Sequence, residues 1–147
     1  MRDQDERHMR RAIELARAQH GRTGENPSVG CVIVGPDGRR ISEGATADGG
    51  RPHAEEMALG PLEGIGANGA VAYVTLEPCR ERTNGEAACS RRLVESGVSR
   101  VVVAVMDQHP KGAGGKAAIE QSGVSVEAGV CEAEAAALYE DFFASLS

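Results

Sequence analysis

Three short runs of this chain are apolar at nearly every position: "VGCVIV" (29–34), "GAVAYVTL" (69–76) and "SRVVVAVM" (99–106). A strand with one wet face alternates apolar and polar residues, so strands that are apolar throughout must be covered on both faces. The covering elements can be read between them. "MRRAIELARAQH" (9–20) carries apolar residues at 9, 12, 13, 15 and 16, a helical stripe stopped by Gly21. "HAEEMAL" opens a helix after Pro52, and "EAACSRRLVESG" (86–97) is amphipathic and closes on Gly97 as a C-cap. Residues 113–123 read as helix, 124–128 as a strand, and "CEAEAAALYEDFFASL" as a final amphipathic helix. The first apolar run meets a Gly-Pro-Asp-Gly turn, and a more polar strand returns from Arg39 to Ala45, the outline of a β-hairpin. The order α-β-β-α-β-α-β-α-β-α predicts an α/β fold, a three-layer α-β-α sandwich around a central mixed five-stranded sheet.

At 147 residues the chain is expected to form one domain. A net charge of −6, aromatic content of 3% and the absence of Trp argue against a nucleic acid polymer as partner, whether bound through phosphates or by base stacking. A small molecule or a second copy of the same chain fits better. The start, "MRDQDERHMRR", is charged and lacks the apolar stretch of a secretory signal, and no apolar run reaches the roughly 20 residues of a membrane span. The expected setting is therefore cytoplasmic, with reduced thiols.

That expectation bears on "TLEPCRERTNGEAAC" (75–89), where two cysteines stand ten residues apart. They could form a disulfide, be two unrelated core residues, or supply two thirds of a metal site. A reducing setting disfavours the first. His53, Cys79 and Cys89 together offer one imidazole and two thiolates, a set suited to Zn²⁺, and three protein ligands leave a fourth position for water, as catalytic zinc sites do. Glu55, two residues after His53 in the first turn of a helix, can reach such a water and move its proton. Helix N-termini at 53 and near 79 or 87 favour thiolate at the cysteines. Each residue alone has a plainer reading: a surface His, a small core Cys, an acid in a first helical turn. Cys31, inside "VGCVIV", reads as core, Cys131 carries no assigned role, and His8 and His20 read as solvated residues of the first helix. His109, in "DQHPKGAGG" after a strand end, can reach a pocket.

His-x-Glu followed by Pro-Cys and a further Cys resembles the signature of zinc-dependent nucleobase deaminases, the cytidine deaminase-like superfamily. Nine residues separate the two cysteines here. That spacing resembles the deaminase half of the bifunctional riboflavin-biosynthesis pyrimidine deaminase/reductase. "NPSVGCVIV", "RPHAEEMAL", "AYVTLEPC", "SGVSRVVVAVMD" and "SGVSVEAGVCEAEAAALYEDFF" look like that family in the same order. The resemblance implies Zn²⁺ held by His53, Cys79 and Cys89, with Glu55 as the catalytic proton shuttle. It also implies a substrate pocket with Asn26 hydrogen-bonding a pyrimidine, and makes Thr46, Ala54, Asn84 and His109 candidates beside it. Three places depart from the family pattern: Thr46 stands where the family has a His; "RERTNGEAA" (80–88) lacks the family's His, its Pro pair and the matching Lys/Arg, although Arg80 and Arg82 offer charge from other positions; and "DQHP" (107–110) replaces "DPNP".

The expectation that follows is a single deaminase domain over 1–147 without a reductase. It would release ammonia from a small aminopyrimidine or related amino-heterocycle, with specificity altered from that of the riboflavin enzyme. The alternative is the authentic riboflavin-pathway step. Editing of transfer RNA adenosine fits the signature but not the acidic charge. From another class comes a non-catalytic zinc-stabilised interaction module, for which Glu55 would be superfluous. A homodimer or homotetramer is expected.

Overall fold

The computed structural model describes residues 2–79, 88–107 and 114–144. A helix, α1 (Arg2–Gln19), leads into the hairpin of β1 (Gly30–Val34) and β2 (Arg40–Ala45). Then come α2 (Ala54–Leu59), β3 (Val71–Leu76), α3 (Cys89–Ser96), β4 (Arg100–Val105), α4 (Gly115–Gln121) and β5 (Ser125–Ala128). The chain closes with α5 (Glu132–Ala136), a tighter turn over Ala137–Tyr139, and α6 (Glu140–Ala144). The five strands form one sheet in the order β2-β1-β3-β4-β5. β1 is antiparallel to both β2 and β3, whereas β3, β4 and β5 are mutually parallel. β2 therefore runs with β3, β4 and β5, and the segments leaving those four strands emerge at one edge of the sheet.

Alternation along the strands sorts the core into two layers. Cys31, Ile33, Ala72, Val74, Val101 and Val103 face a cluster with Ala54 and Ala58 of α2, Leu93 of α3 and Ile119 of α4. Val32, Val34, Tyr73, Val102 and Ala104 face the other way, onto Met9, Ala12 and Ile13 of α1 and Ala135 and Tyr139 near the C-terminus. The expected three-layer sandwich with a mixed five-stranded sheet is thus what forms. Full burial of a Val, Leu or Ile side chain is worth about 1.5–3 kcal/mol, so these two layers supply the main driving force. Helix α2 sits unusually near the hairpin. A Cβ at Gly44 would lie 2.6 Å from the Met57 Cβ and 2.7 Å from the Ala58 nitrogen. Ser42 also donates its hydroxyl hydrogen to the Ala58 carbonyl at 2.6 Å.

The structure corrects three expectations. Helix α1 begins at Arg2, seven residues before the apolar stripe. Its first turns are held by polar contacts: the Asp5 carboxylate accepts from the Tyr73 hydroxyl at 2.7 Å and from two Arg100 nitrogens at 3.0 and 2.7 Å. His8 is buried instead of solvated, its ring 5.1 Å from that of Tyr73 and its Nδ1 accepting from Arg40 Nε at 3.0 Å. His20 is exposed, as expected. The final helix is broken into three pieces by the tighter turn at 137–139, which brings Tyr139 wholly inside. Cys31 lies in the core, fully buried. No helix among the described residues is long and apolar enough to cross a membrane.

Candidate functional site

His53 is the N-cap of α2, reached by the seven-residue connection after β2. Cys79 follows β3 by three residues, and Cys89 is the first residue of α3. All three segments leave or approach the same edge of the sheet, the edge at which ligands gather in α/β folds. There His53 Nδ1 lies 3.4 Å from Cys89 Sγ, and one donor atom from each of His53, Cys79 and Cys89 falls within 4.8 Å of the others. Among the described residues this is the one such group of His, Cys, Asp and Glu side chains. All four cysteines are free thiols, which removes the disulfide alternative.

The donor set passes a simple test for zinc. Two arms of about 2.3 Å to sulfur and about 2.0 Å to nitrogen at a tetrahedral angle would separate the donor atoms by roughly 3.5 Å, close to the 3.4 Å between Nδ1 and Sγ. The Cys79 thiol is held well below its ordinary value, chiefly by a hydrogen bond with the Cys89 side chain and also by hydrogen bonds from His53 and the Cys89 backbone. That backbone N–H, at the start of α3, donates to Cys79 Sγ at 3.2 Å, and the Ser90 N–H donates to the Cys79 carbonyl at 3.1 Å. A thiolate is the ligand form of cysteine, so these contacts prepare the sulfur for a soft cation.

Glu55 lies beside the cluster, 4% exposed. Burial raises its carboxyl above the ordinary carboxylate range and the Cys79 sulfur adds to the shift, while a backbone hydrogen bond, the His53 charge and a contact with Cys89 oppose it. A carboxyl so placed is suited to hold and release a proton. The neighbouring Glu56 turns back instead, its Oε1 accepting the His53 N–H at 3.3 Å. Arg92 of α3 stands 3.7 Å from the other Glu56 oxygen and so ties together the two helices that start at His53 and Cys89.

The remaining candidates divide. Asn26 is half-buried in the loop after α1, and its Nδ2 donates to the Gly50 carbonyl at 3.0 Å, three residues before His53. Ala54, fully buried, is the first residue of α2, directly between His53 and Glu55. Thr46 is buried, and its hydroxyl oxygen accepts the Val29 N–H at 2.9 Å, so that side chain is engaged with the backbone of the Asn26 loop. Asn84 and His109 lie outside the described residues.

Sequence reasoning passed over Glu77. It is 3% exposed, with Oε1 accepting the Asp107 N–H at 3.0 Å and Oε2 accepting the Lys116 N–H at 2.9 Å. This carboxylate pins the segment bearing Cys79 to the end of β4 and to the first turn of α4. Its neighbour Pro78 packs against Gly115, where a Cβ would lie 1.8 Å from the Pro78 carbonyl oxygen. The signal was a Glu directly after an apolar strand, which burial with two N–H donors makes intelligible only once the fold is known.

Comparison with known proteins agrees with this geometry. Residues 2–105 match the family described as the cytidine and deoxycytidylate deaminase zinc-binding region. The chain is 43% identical to the riboflavin biosynthesis protein RibD of Aquifex aeolicus over 97% of its own length and 40% of that protein's. It is 38% identical to the diaminohydroxyphosphoribosylamino-pyrimidine deaminase of Buchnera aphidicola subsp. Acyrthosiphon pisum, covering 92% of this chain and 91% of that one. The RibD structure from Acinetobacter baumannii superposes with a TM-score of 0.91 at 42% identity, over 100% of this chain and 41% of that one. The chain thus spans about two fifths of the RibD proteins it matches.

These matches overturn the expectation of a specificity altered from that of the riboflavin enzyme. Likeness to riboflavin-biosynthesis proteins, at 38–43% identity, covers 92–100% of the chain. The structure supplies a reason at one of the departures: the Thr46 hydroxyl is absorbed by the backbone at Val29. The segment 80–87 lies outside the described residues.

Proposed function

We propose that this chain, which belongs to the cytidine and deoxycytidylate deaminase zinc-binding family, is a hydrolytic deaminase domain spanning 1–147 that acts on the diaminohydroxyphosphoribosylaminopyrimidine of riboflavin biosynthesis. The observation that carries the reading is the convergence of one imidazole and two thiols beside a buried carboxylate. Substrate identity is drawn from the relatives, above all from the Buchnera deaminase that this chain matches across almost its full length.

His53, Cys79 and Cys89 would hold Zn²⁺, whose chemistry when bound is that of a Lewis acid lowering the pKa of a water toward neutrality. Glu55 would do the proton work. Its carboxylate takes a proton from the attacking water and delivers it to the ring nitrogen next to the amine-bearing carbon, then takes the second proton from the hydroxyl of the adduct and hands it to the departing amine. Water thus adds across the C=N bond, the C–N bond to the amine breaks, ammonia leaves, and a carbonyl remains. Burial of Glu55 keeps competing water away and lets the carboxyl exist in both protonation states. Asn26 would orient the pyrimidine. With Nδ2 donating to Gly50, its Oδ1 is left to accept from a ring N–H or amine.

The test is to measure zinc content, then ammonia release from that pyrimidine, in wild type and Glu55→Ala. Zinc retained with turnover lost supports the assignment; equal turnover in both removes Glu55 from the chemistry. Release of ammonia from cytidine or deoxycytidylate, with none from the pyrimidine, would refute the substrate.

A further inference from the structure

We infer that Tyr139, delivered by the tight turn near the C-terminus, is a positioning residue that sets the Asn26 loop against the end of β3 and thereby tunes substrate binding. The inference rests on the proposed role of Asn26. Tyr139 is fully buried on the sheet face opposite α2, α3 and α4. Its hydroxyl donates to the Ser28 carbonyl at 2.8 Å, two residues beyond Asn26. The Thr75 hydroxyl lies 2.6 Å from the same oxygen and is left to donate to it, since the phenolic hydrogen is already committed. Thr75 Oγ1 in turn accepts the Gly30 N–H at 3.0 Å. One phenol therefore joins the end of β3, four residues before Cys79, to the backbone that carries Asn26.

The loop has further anchors, and they all point the same way. Ser28 Oγ donates to the Ala16 carbonyl at 2.6 Å, and the Thr23 hydroxyl donates to the Asn26 carbonyl at 2.7 Å. On its far side Asn26 reaches Gly50, just ahead of His53. The side chain of Asn26 is thus held between a segment leading to one zinc ligand and, through Tyr139, a strand leading to another. A core phenol needed only for packing would be served equally by phenylalanine. The hydroxyl matters here because both of its partners are buried polar groups on different segments, one of them wholly enclosed and the other a backbone carbonyl. Removing it unties the loop from the end of β3 without touching His53, Cys79 or Cys89.

The experiment is steady-state ammonia release from diaminohydroxyphosphoribosylaminopyrimidine by the zinc-loaded chain, comparing wild type, Asn26→Ala, Tyr139→Phe and the double variant. Loss of one buried hydrogen bond corresponds to about a fivefold to tenfold effect, so Tyr139→Phe is expected to raise KM by that factor with kcat within about twofold and zinc content unchanged. A raised KM at constant kcat is the signature of lost ground-state and transition-state binding alike. The double variant is expected to match Asn26→Ala in KM, because both changes act through one side chain. Should Tyr139→Phe fold poorly, Thr75→Val cuts the same bridge from the strand side and Thr75→Ser restores it, with KM expected to rise and recover accordingly. A raised KM for Asn26→Ala alongside a wild-type KM for Tyr139→Phe, or multiplicative effects in the double variant, overturns the inference and spares the proposed role of Asn26. A wild-type KM for Asn26→Ala overturns that role, and the inference with it.

Discussion

Replacing Glu77 by Gln changes one oxygen to an NH₂ group, nearly conserving volume, yet it should be among the more damaging single changes in this chain. Both carboxylate oxygens accept backbone N–H groups, from Asp107 at 3.0 Å and from Lys116 at 2.9 Å, and the side chain is 3% exposed. An amide can satisfy one of these donors but must turn its own N–H toward the other. Hydrogen bonds to a charged acceptor are worth roughly 1.5–3 kcal/mol each. Losing one, weakening the other to a neutral bond, and forfeiting a negative charge at the start of α4 gives about 2–4 kcal/mol in total. For a domain of this size about 3 °C of melting temperature accompanies each kcal/mol, so Tm should fall by roughly 6–12 °C. Because the same contacts set the position of Cys79, zinc should be removed from Glu77→Gln at lower chelator concentration, and kcat/KM should drop at temperatures where the protein remains folded. Thermal melts, chelator titration followed by zinc analysis, and ammonia release measure the three effects. A variant with wild-type Tm and wild-type zinc retention would refute the view that this carboxylate braces the segment carrying Cys79.

Glu55→Gln should keep zinc while lowering kcat by about 10²–10⁴, the usual contribution of a positioned proton-transfer group, as followed by ammonia release and metal analysis. Stripping zinc should lower Tm reversibly, since the ion would tie residues 53, 79 and 89 together only in the folded state; a chelator titration of the melt, with zinc added back, checks this. Asp5 provides the pH dependence: hydrogen bonds from Arg100, then Tyr73, hold its folded pKa below the ordinary aspartate range. Its stabilisation is therefore complete above the unfolded value and disappears as pH falls through the lower folded value, so Asp5→Asn should flatten the acid limb of a Tm-versus-pH curve below about pH 4. Gly115→Ala should abolish activity or folding, because its Cβ would sit 1.8 Å from the Pro78 carbonyl oxygen; soluble yield and ammonia release would show it.

The fully apolar strands made the sheet legible in advance, since only a layer covered on both sides can hold "VGCVIV" or "RVVVAV". The gathering of His53, Cys79 and Cys89 with Glu55 beside them was legible for a related reason: these residues fall at the points where strands give way to helix starts. Polar residues made buried by distant partners were not legible. Asp5 and His8 read as part of a charged terminus, and nothing local announces that Arg100, Tyr73 and Arg40 will meet them. Glu77 and Tyr139 belong to the same class, each explained by donors or acceptors 30 or more residues away. Thr46 stood out in the sequence because it replaces a residue of another type, and nothing local announced that its hydroxyl would accept the Val29 N–H. Periodicity reports burial of apolar faces; it carries no information about which polar groups will find each other across the sheet.

The near contact between α2 and the hairpin has a consequence for how this chain can vary. With no side chain at Gly44 to act as a spacer, the separation of helix and strand is set by backbone against backbone, and the imidazole rides on the leading end of that helix. A methyl group added at 44 would work as a wedge, tilting α2 and carrying His53 away from both sulfurs while the imidazole and the two thiols all remained in the sequence.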